Sequence, residues 1–241
     1  MEKAKKIKIV LGLFYLVVVF AFLYFFMSKF TLTEIMSFEF IKNNRDFFYQ
    51  LKQNNIFLLI IVFFICIIFW TLMAGFGSPV ALLGGFIFGK WSGTLIVVTG
   101  MSIGATILYL FGNYFFKDLI KEKFSYKYRK LEIKFKKSEF LYLLAYRFIG
   151  GIPFAISNVL PCIFNVKTIN FFIATFIGII PQIFLVVSIG SGLDKIIKKN
   201  LNAPKFTDLI LVPEIYIPLL GFCLLILITL VLKKIFFKND Y

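Results

Sequence analysis

Long apolar runs alternate along the chain with short basic segments. Ile9 to Met27 contains no charged side chain and is bounded by Lys8 and Lys29. About 20 consecutive apolar residues are enough to cross a hydrocarbon core about 30 Å thick. The pattern therefore predicts a membrane-spanning helix over Ile9 to Met27, and further spans over residues 56–76, 94–116, 168–189 and 215–232.

Two other apolar segments are interrupted by glycine and proline. Residues 77–93 read GSPVALLGGFIFGKWSG, and residues 145–161 read AYRFIGGIPFAISNVLP. Backbone that leaves the helix at membrane depth must be buried in protein or line a wet cavity, because unpaired amides are costly in lipid. We predict a re-entrant helical hairpin in each segment, with a full crossing of 77–93 left open as the alternative.

The two interrupted segments match each other when the chain is laid over itself with an offset of 74 residues. GSPVA at 77–81 then falls on GIPFA at 151–155, and Ile103-Gly104 falls on Ile177-Gly178. Paired interrupted segments in corresponding halves indicate a binding site at a repeat interface. The predicted fold is an all-α polytopic membrane protein, an inverted repeat with two re-entrant hairpins flanked by transmembrane helices.

Three regions are expected along the chain. Residues 1–55 form an N-terminal transmembrane anchor and an amphipathic connector, residues 56–192 form the membrane domain, and residues 193–241 form a polar loop and a C-terminal transmembrane helix. The apolar positions of 31–55 fit either a helix at the membrane interface or a solvated loop helix. The basic loop 117–139 and the C-terminus are expected in the cytoplasm by the positive-inside rule. The side of the N-terminus stays open.

Composition supports a membrane protein and argues against nucleic acid as a partner. Hydrophobic side chains make up 60% of the chain, and the net charge is +15. A soluble domain has about 45–50% apolar residues. The basic residues lie in short runs beside apolar segments, which favours contact with anionic phospholipid headgroups of a cell membrane. For the loop 117–139, a solvated loop and a lipid-binding patch both remain possible interpretations.

The chemistry-bearing side chains do not suggest an enzyme. The chain has no histidine, which excludes a Ser/His/Asp or Cys/His site. No acidic residue occurs from Phe47 to Lys117 or from Phe140 to Leu193, so neither block holds a carboxylate pair for acid/base work. The three cysteines are widely spaced within apolar segments and are interpreted as packing residues. We expect no catalytic residue, no metal site and no cofactor.

Arg147 is the only charged residue between Glu139 and Lys167. A helix that starts at Glu139 would carry Arg147 about 12 Å into the membrane at about 1.5 Å per residue. A charge at this depth is a functional hypothesis by default, although an arginine side chain can also extend back to the headgroups. We expect Arg147 to bind a lipid phosphate or carbonyls of the hairpin, and Asn158 to hydrogen-bond exposed hairpin backbone.

The remaining candidate residues are glycines, prolines and aromatic residues of the interrupted segments. Together with Arg147 and Asn158, we expect a lipid path to include Gly150, Gly151, Pro153 and Phe154. The residues expected to shape the hairpins are Gly77, Pro79, Gly85, Phe88, Gly89, Gly104, Gly178 and Pro181. Isolated glycines also serve close helix packing, whereas a proline beside a glycine favours a helix break.

Residues 56–192 resemble the VTT-domain superfamily, also called the SNARE-associated Golgi protein family, which includes the bacterial DedA proteins. Three motifs carry the resemblance: Gly85-x-x-Phe88-Gly89, the segment with Arg147, Pro153-Phe154 and Asn158, and IGIIPQ at 177–182. The likeness is greatest to the Tvp-type bacterial branch. It implies two re-entrant hairpins in an inverted repeat, and a function in membrane lipid homeostasis as a phospholipid scramblase or a translocase of isoprenoid-phosphate carriers.

The chain departs from the family pattern at three places. Gly150 stands where the branch commonly has proline, and Gly112-Asn113 stands where Ala-Arg is common. Neither repeat contains a membrane carboxylate of the kind linked to proton-dependent transport in DedA proteins. We therefore expect passive movement of lipid headgroups. The alternatives are a secondary transporter of a small anion or metabolite, and a structural protein that recruits a partner through the loop 117–139.

Overall fold

The computed structural model describes residues 2–29, 37–73, 75–124, 136, 138–149, 154–199, 213, 215–221 and 223–224. Within these residues the regular secondary structure is entirely helical, as the sequence predicts. The elements are α1 (Glu2–Lys29), α2 (Phe38–Asn43), α3 (Arg45–Asn54), α4 (Ile56–Leu72), α5 (Gly77–Phe88), α6 (Lys90–Phe124), α7 (Glu139–Ile149), α8 (Phe154–Val159), a 3-10 helix (Leu160–Phe164) and α9 (Thr168–Lys199). Half of the predicted last span, 215–232, lies outside the described residues.

Two long helices form the centre of the described fold. Lys90–Phe115 of α6 and Thr168–Asp194 of α9 are long and apolar enough to cross a membrane. The two helices are antiparallel, because Tyr109 stacks on Phe171 at 4.6 Å, while Trp91 lies 5.1 Å from Phe184, nearer the other end of α9. Both helices are longer than predicted from their apolar runs.

The extension of α9 beyond Ile189 occupies part of the predicted polar loop 190–208. Leu193 and Ile197 are buried in a cluster with residues of α5, and the Arg45 side chain pairs with Asp194 at 3.4 Å. These contacts keep the last turns of α9 packed, so the helix ends at Lys199. Similarly, α6 reaches Phe124, inside the predicted loop 117–139, of which residues 125–135 lie outside the described part of the chain.

The first helix pair, α4 and α5, replaces both the span predicted at 56–76 and the hairpin predicted at 77–93. α4 bends by 119° from α3 and ends at Leu72. Its last turn packs on Gly104, where an added Cβ would lie 2.7 Å from Thr71 Cβ. Gly104 is near the middle of the span Lys90–Phe115. α4 therefore stops about halfway along α6 instead of passing its full length.

α5 returns towards the start of α4. An added Cβ on Gly77 would lie 2.7 Å from Met101 Cε, near the middle of α6. At the other end, the Phe88 ring lies 5.3 Å from Phe63 of α4, and Lys52 Nζ donates to the Ile87 carbonyl at 2.9 Å. The chain thus reverses before Gly77, and 77–88 is one continuous helix. The hairpin boundary predicted from the sequence is corrected accordingly.

The position of Pro79 explains why the sequence misplaces this turn. Pro79 is the third residue of α5. In the first turn of a helix the missing N–H of proline removes no internal hydrogen bond. The proline therefore belongs to the start of a helix, and the break lies just before it.

The second helix pair, α7 and α8, has the same layout. α7 starts beside the start of α9, because Glu139 Oε1 accepts hydrogen bonds from the Lys167 backbone N–H at 2.6 Å and from Asn170 at 3.1 Å. Its last turn reaches Gly178, near the middle of α9. The 3-10 helix then leads back to Val166, whose carbonyl accepts from the Tyr109 hydroxyl at 2.6 Å. The chain therefore reverses between the end of α7 at Ile149 and the 3-10 helix, within the predicted segment 145–161.

Candidate functional site

The turn ends of both helix pairs meet at one cavity of about 270 Å³. The first pair contributes the start of α5, the second pair contributes the end of α7 and α8, and the long helices supply the walls. Because Met101 and Gln182 lie near the middle of the two long apolar helices, the cavity lies about halfway along both. Its lining consists of Phe76, Gly77, Ser78, Met101, Tyr146, Arg147, Phe154, Ser157, Ile179, Gln182, Ile183 and Val186.

Arg147 is the charged residue of this cavity, and only 4% of it is exposed. Its Nε donates to Thr175 Oγ1 at 3.1 Å, one Nη donates to Ser157 Oγ, and the other donates to Asn158 Oδ1 at 2.7 Å. All three acceptors are neutral. Among the described residues, no carboxylate lies within ion-pair distance of the guanidinium. The charge is therefore held by hydrogen bonds without being neutralised.

Aromatic rings surround the guanidinium. Its central carbon lies 5.1 Å from the centroid of the Phe171 ring and 5.4 Å from that of Phe154. The negative faces of aromatic rings attract cations over such distances, which partly offsets the cost of burial. A guanidinium has five N–H donors, and three of them are used by Thr175, Ser157 and Asn158. The other two donors have no hydrogen-bond acceptor among the residues that the structure describes.

The Asn158 side chain has a different partner from the one predicted. We expected it to bind exposed hairpin backbone, but its Oδ1 accepts from Arg147. Its Nδ2 is buried and has no hydrogen-bond partner among the described residues. The structure thus joins Arg147, Phe154 and Asn158 at one site. Of the other predicted path residues, Gly150, Gly151 and Pro153 lie outside the described residues.

The ends of α4 and α7 pack against two glycines at corresponding positions of the long helices. An added Cβ on Gly178 would lie 2.5 Å from Arg147 Cβ, and an added Cβ on Gly104 would lie 2.7 Å from Thr71 Cβ. Positions 104 and 178 match under the offset of 74 residues. Close packing at both glycines brings the turn of each pair to mid-membrane, and at Gly178 it also sets the position of Arg147.

The other predicted hairpin residues hold α5 in place. An added Cβ on Gly85 would lie 1.9 Å from the Val187 carbonyl oxygen, so only glycine permits this close approach of α5 and α9. Gly89 has φ +81°, in the left-handed region that favours glycine, and it ends α5. Phe88 is buried beside it, and Gly77 lines the cavity. Pro181 lies inside α9, next to Gln182.

Sequence reasoning missed three residues of the site, namely Ser157, Thr175 and Gln182. Gln182 Nε2 donates to the carbonyls of Arg147 at 3.0 Å and Phe148 at 3.2 Å. The last carbonyls of a helix have no partner inside it, so Gln182 stabilises the end of α7 beside the cavity. A signal existed for each: Ser157 precedes Asn158, Thr175 lies three residues before Gly178 on one helical face, and Gln182 closes the IGIIPQ stretch.

Residues 75–192 match the family model described as the VTT domain. The chain is 32% identical over 115 residues to "Uncharacterized protein YqeD" of Bacillus subtilis (strain 168), a match that covers 47% of this chain and 55% of that protein. It is 28% identical over 167 residues to "Transmembrane protein 41 homolog" of Dictyostelium discoideum, covering 66% of this chain and 49% of the relative.

A third relative is "Transmembrane protein 41 homolog" of Caenorhabditis elegans, 26% identical over 149 residues, covering 60% of this chain and 61% of that protein. The chain thus spans about half to three fifths of the length of these three curated relatives. No solved structure is significantly similar to it.

Proposed function

We propose that this chain, which belongs to the VTT-domain family, moves phospholipid or lipid-phosphate headgroups between the two leaflets of a membrane. The observation that carries the proposal is the buried Arg147 charge, which lines a mid-membrane cavity and has no carboxylate partner among the described residues. The movement involves no covalent chemistry, and we do not propose an enzymatic activity.

The arrangement of the helix pairs supports a path through the membrane. The first pair begins near the end of α9, because Leu59 and Ile60 of α4 pack on the cluster that contains Leu193 and Ile197. The second pair begins beside Lys167 at the start of α9. The pairs therefore enter from opposite ends of the same long helix and turn at the cavity. We interpret them as two re-entrant hairpins of an inverted repeat, which shorten the apolar barrier from both sides.

The chemistry of the cavity fits a phosphate group. An arginine at the middle of a bilayer costs about 2.5 kcal/mol or more, and charge-assisted hydrogen bonds to phosphate are among the strong ones. The N-terminus of α5 also lines the cavity at Gly77 and Ser78, and no side chain caps it. Free backbone N–H groups at a helix N-terminus favour anions. Both features would stabilise a phosphate more than a neutral solute.

The remaining parts of the proposal concern coupling, location and partners. The cavity lining contains no carboxylate or histidine among the described residues, which favours passive movement over proton coupling. We propose membrane lipids, including anionic phospholipids, as the partners. We also propose the cell membrane as the location, with the loop 117–139 and the C-terminus in the cytoplasm, because these are the basic parts of the chain.

A secondary transporter of a small anion is the second candidate. The cavity volume of about 270 Å³ would accommodate a free anion as well as a headgroup. The two functions share the chemistry of recognition at Arg147 and differ in what crosses the membrane.

Liposomes that contain the full chain test both candidates. Headgroup movement is followed with a fluorescent phospholipid quenched from outside, and solute entry is followed with labelled phosphate. We expect Arg147→Met to slow headgroup movement by tenfold or more, because a hydrogen bond to a charged group contributes about 1.5–3 kcal/mol. The rate for Arg147→Lys should lie between those of Arg147→Met and the original chain, since lysine keeps the positive charge but lacks the planar guanidinium.

The matched control is Met73→Leu, at the position that corresponds to Arg147 in the first pair, and it should leave movement unchanged. Solute entry without lipid movement would overturn the proposal in favour of the second candidate. Equal rates for Arg147→Met and the original chain would overturn both candidates and favour a structural role.

A further inference from the structure

A second cavity lies where α3 meets the far end of α5. Its volume is about 100 Å³, and it is separate from the central cavity. The connector helix α3 supplies two basic side chains, α5 supplies its last turn, and α9 supplies one carboxylate. The lining consists of Arg45, Phe48, Tyr49, Lys52, Phe86, Ile87 and Asp194.

The two basic residues share one face of α3, because residues seven apart lie two turns apart. Arg45 Nε contacts Asp194 Oδ1 at 3.4 Å, and Lys52 Nζ donates to the Ile87 carbonyl at 2.9 Å. In the described part of the chain no carboxylate lies within ion-pair distance of Lys52. The lining carries two cations and one carboxylate, and the exposed Asp46 carboxylate also lies 3.9 Å from Arg45. Lys52 therefore supplies the positive charge that no carboxylate of the described residues pairs.

The position of the second cavity matches the headgroup layer. α5 runs from Gly77 at the central cavity to Ile87 at the second one, about 15 Å along a helix at about 1.5 Å per residue. Half of a hydrocarbon core is also about 15 Å thick. Because the central cavity lies near mid-membrane, the Arg45 and Lys52 side chains fall at the level of the lipid phosphates.

The connector itself has the properties of an interfacial helix. It is bent by 119° from α4, and it presents Phe47, 58% exposed, beside its polar face. Helices that lie in the interface bury apolar side chains among the acyl chains and direct basic side chains to anionic headgroups. These observations favour the membrane interface over a solvated loop for this segment.

We propose that the second cavity binds the phosphate of an anionic phospholipid from one leaflet, with Lys52 and Arg45 as the binding residues. Asp194 competes with the lipid for Arg45 and so limits the affinity. The site acts at the membrane surface, and its occupation does not depend on the headgroup movement proposed for the central cavity.

Photo-crosslinking on the full chain tests this site directly. The protein is placed in phosphatidylcholine vesicles with a trace of phosphatidylglycerol that carries a photoreactive headgroup, and the labelled peptides are mapped by mass spectrometry. We expect labelling within 42–54, displaced by unlabelled phosphatidylglycerol and not by added phosphatidylcholine. Lys52→Met should weaken this labelling about fivefold, since a basic residue near the surface contributes about 1 kcal/mol of attraction.

The control Lys90→Met removes one charge outside the cavity and should leave labelling within about twofold, since salt screens charges that lie apart from the bound phosphate. The variant Asp194→Asn distinguishes two interpretations of the Arg45–Asp194 contact, namely a site that binds an anion and a purely structural ion pair. It should strengthen labelling, because it frees Arg45, whereas a purely structural pair predicts weaker labelling and lower thermal stability. Weaker labelling in Asp194→Asn, equal displacement by phosphatidylcholine, or equal displacement by inorganic phosphate in the buffer would each overturn the lipid site. This holds whether or not lipids cross through the central cavity.

Discussion

The two helix pairs share one construction but differ in charge. In both pairs a helix reaches mid-membrane, packs its last turn on a glycine of a long helix, and reverses at the cavity. The polar cluster occurs in the second pair only. Under the offset of 74 residues its four members correspond to apolar residues or glycine, in the pairs Arg147 and Met73, Ser157 and Leu83, Asn158 and Gly84, and Thr175 and Met101.

This difference separates the requirements of the fold from those of the function. The first pair forms the same layout without a charge, so the layout depends on the glycines and the breaks that the two halves share. Placing the arginine in lipid costs free energy, and the layout of the helices does not require this residue. The function proposed for the cavity accounts for this cost in the second pair, and three sets of substitutions test the comparison.

Giving the first pair its own arginine is expected to have the largest effect. Met73→Arg would place a charge near mid-membrane at a position where the acceptors of the second pair have apolar counterparts. We expect a loss of about 2.5–3.5 kcal/mol in stability, measured by thermal unfolding in detergent micelles. Met73→Leu is the control and should change stability by less than about 1.5 kcal/mol. A stable Met73→Arg variant would show that the first pair also tolerates a buried charge.

Adding a methyl group to the two corresponding glycines sharpens the comparison. Gly104→Ala and Gly178→Ala would each force an overpacked contact and cost about 1–3 kcal/mol in stability, measured by thermal unfolding. Only Gly178→Ala should also slow headgroup movement, because the group it displaces is Arg147.

Gly221→Ala serves as the control for both glycine variants, since a Cβ there meets no atom of the described residues within 4 Å. It should change stability by no more than about 0.5 kcal/mol. Equal slowing of headgroup movement by Gly104→Ala and Gly178→Ala would argue that general looseness, and not the position of Arg147, controls the rate.

The smallest expected effect concerns the side chains that support each turn. Gln182 donates to the carbonyls at the end of α7, and Trp70 Nε1 donates to the Phe76 carbonyl at 2.8 Å in the first pair. Gln182→Met and Trp70→Phe each remove donors and should cost about 0.5–1.5 kcal/mol per hydrogen bond. Headgroup movement should slow in Gln182→Met alone, and a matching loss in Trp70→Phe would contradict the asymmetry between the pairs.

Much of the fold could be predicted because helix and membrane periodicity are local properties. The helical class, the spans in α6 and α9, and a reversal after α7 all follow from apolar run lengths and glycine or proline breaks. The apolar part of α1 within the described residues, Val10–Phe25, is shorter than the predicted span. The reversal before Gly77 was missed, because a proline in the first turn of a helix has the same sequence signature as one that ends a helix. The length of α9 was underestimated, since its last turns depend on contacts with α2, α3 and α5.

The site was predicted in part for a similar reason. Arg147 is conspicuous in sequence as an isolated charge in an apolar stretch, and Phe154 and Asn158 follow it closely. Thr175 and Gln182 come from another helix, 28 and 35 residues further along the chain. The local signals in α9, namely the spacing of Thr175 from Gly178 and the IGIIPQ stretch, do not identify the helix that these side chains contact, so their roles needed the packed structure.

The sequence by itself determined that this protein is helical and has long apolar helices of a membrane protein, and it singled out Arg147 as an isolated charge in an apolar stretch. Run length, charge spacing and the backbone limits of glycine and proline decide these properties residue by residue. Only the tertiary structure decided where the first chain reversal lies, that both turns open onto one cavity, and that neutral oxygens of two different helices, α8 and α9, hold the arginine. Those outcomes depend on how closely helices distant in sequence can approach, and contacts such as Arg147 on Gly178 exist only once the helices are packed.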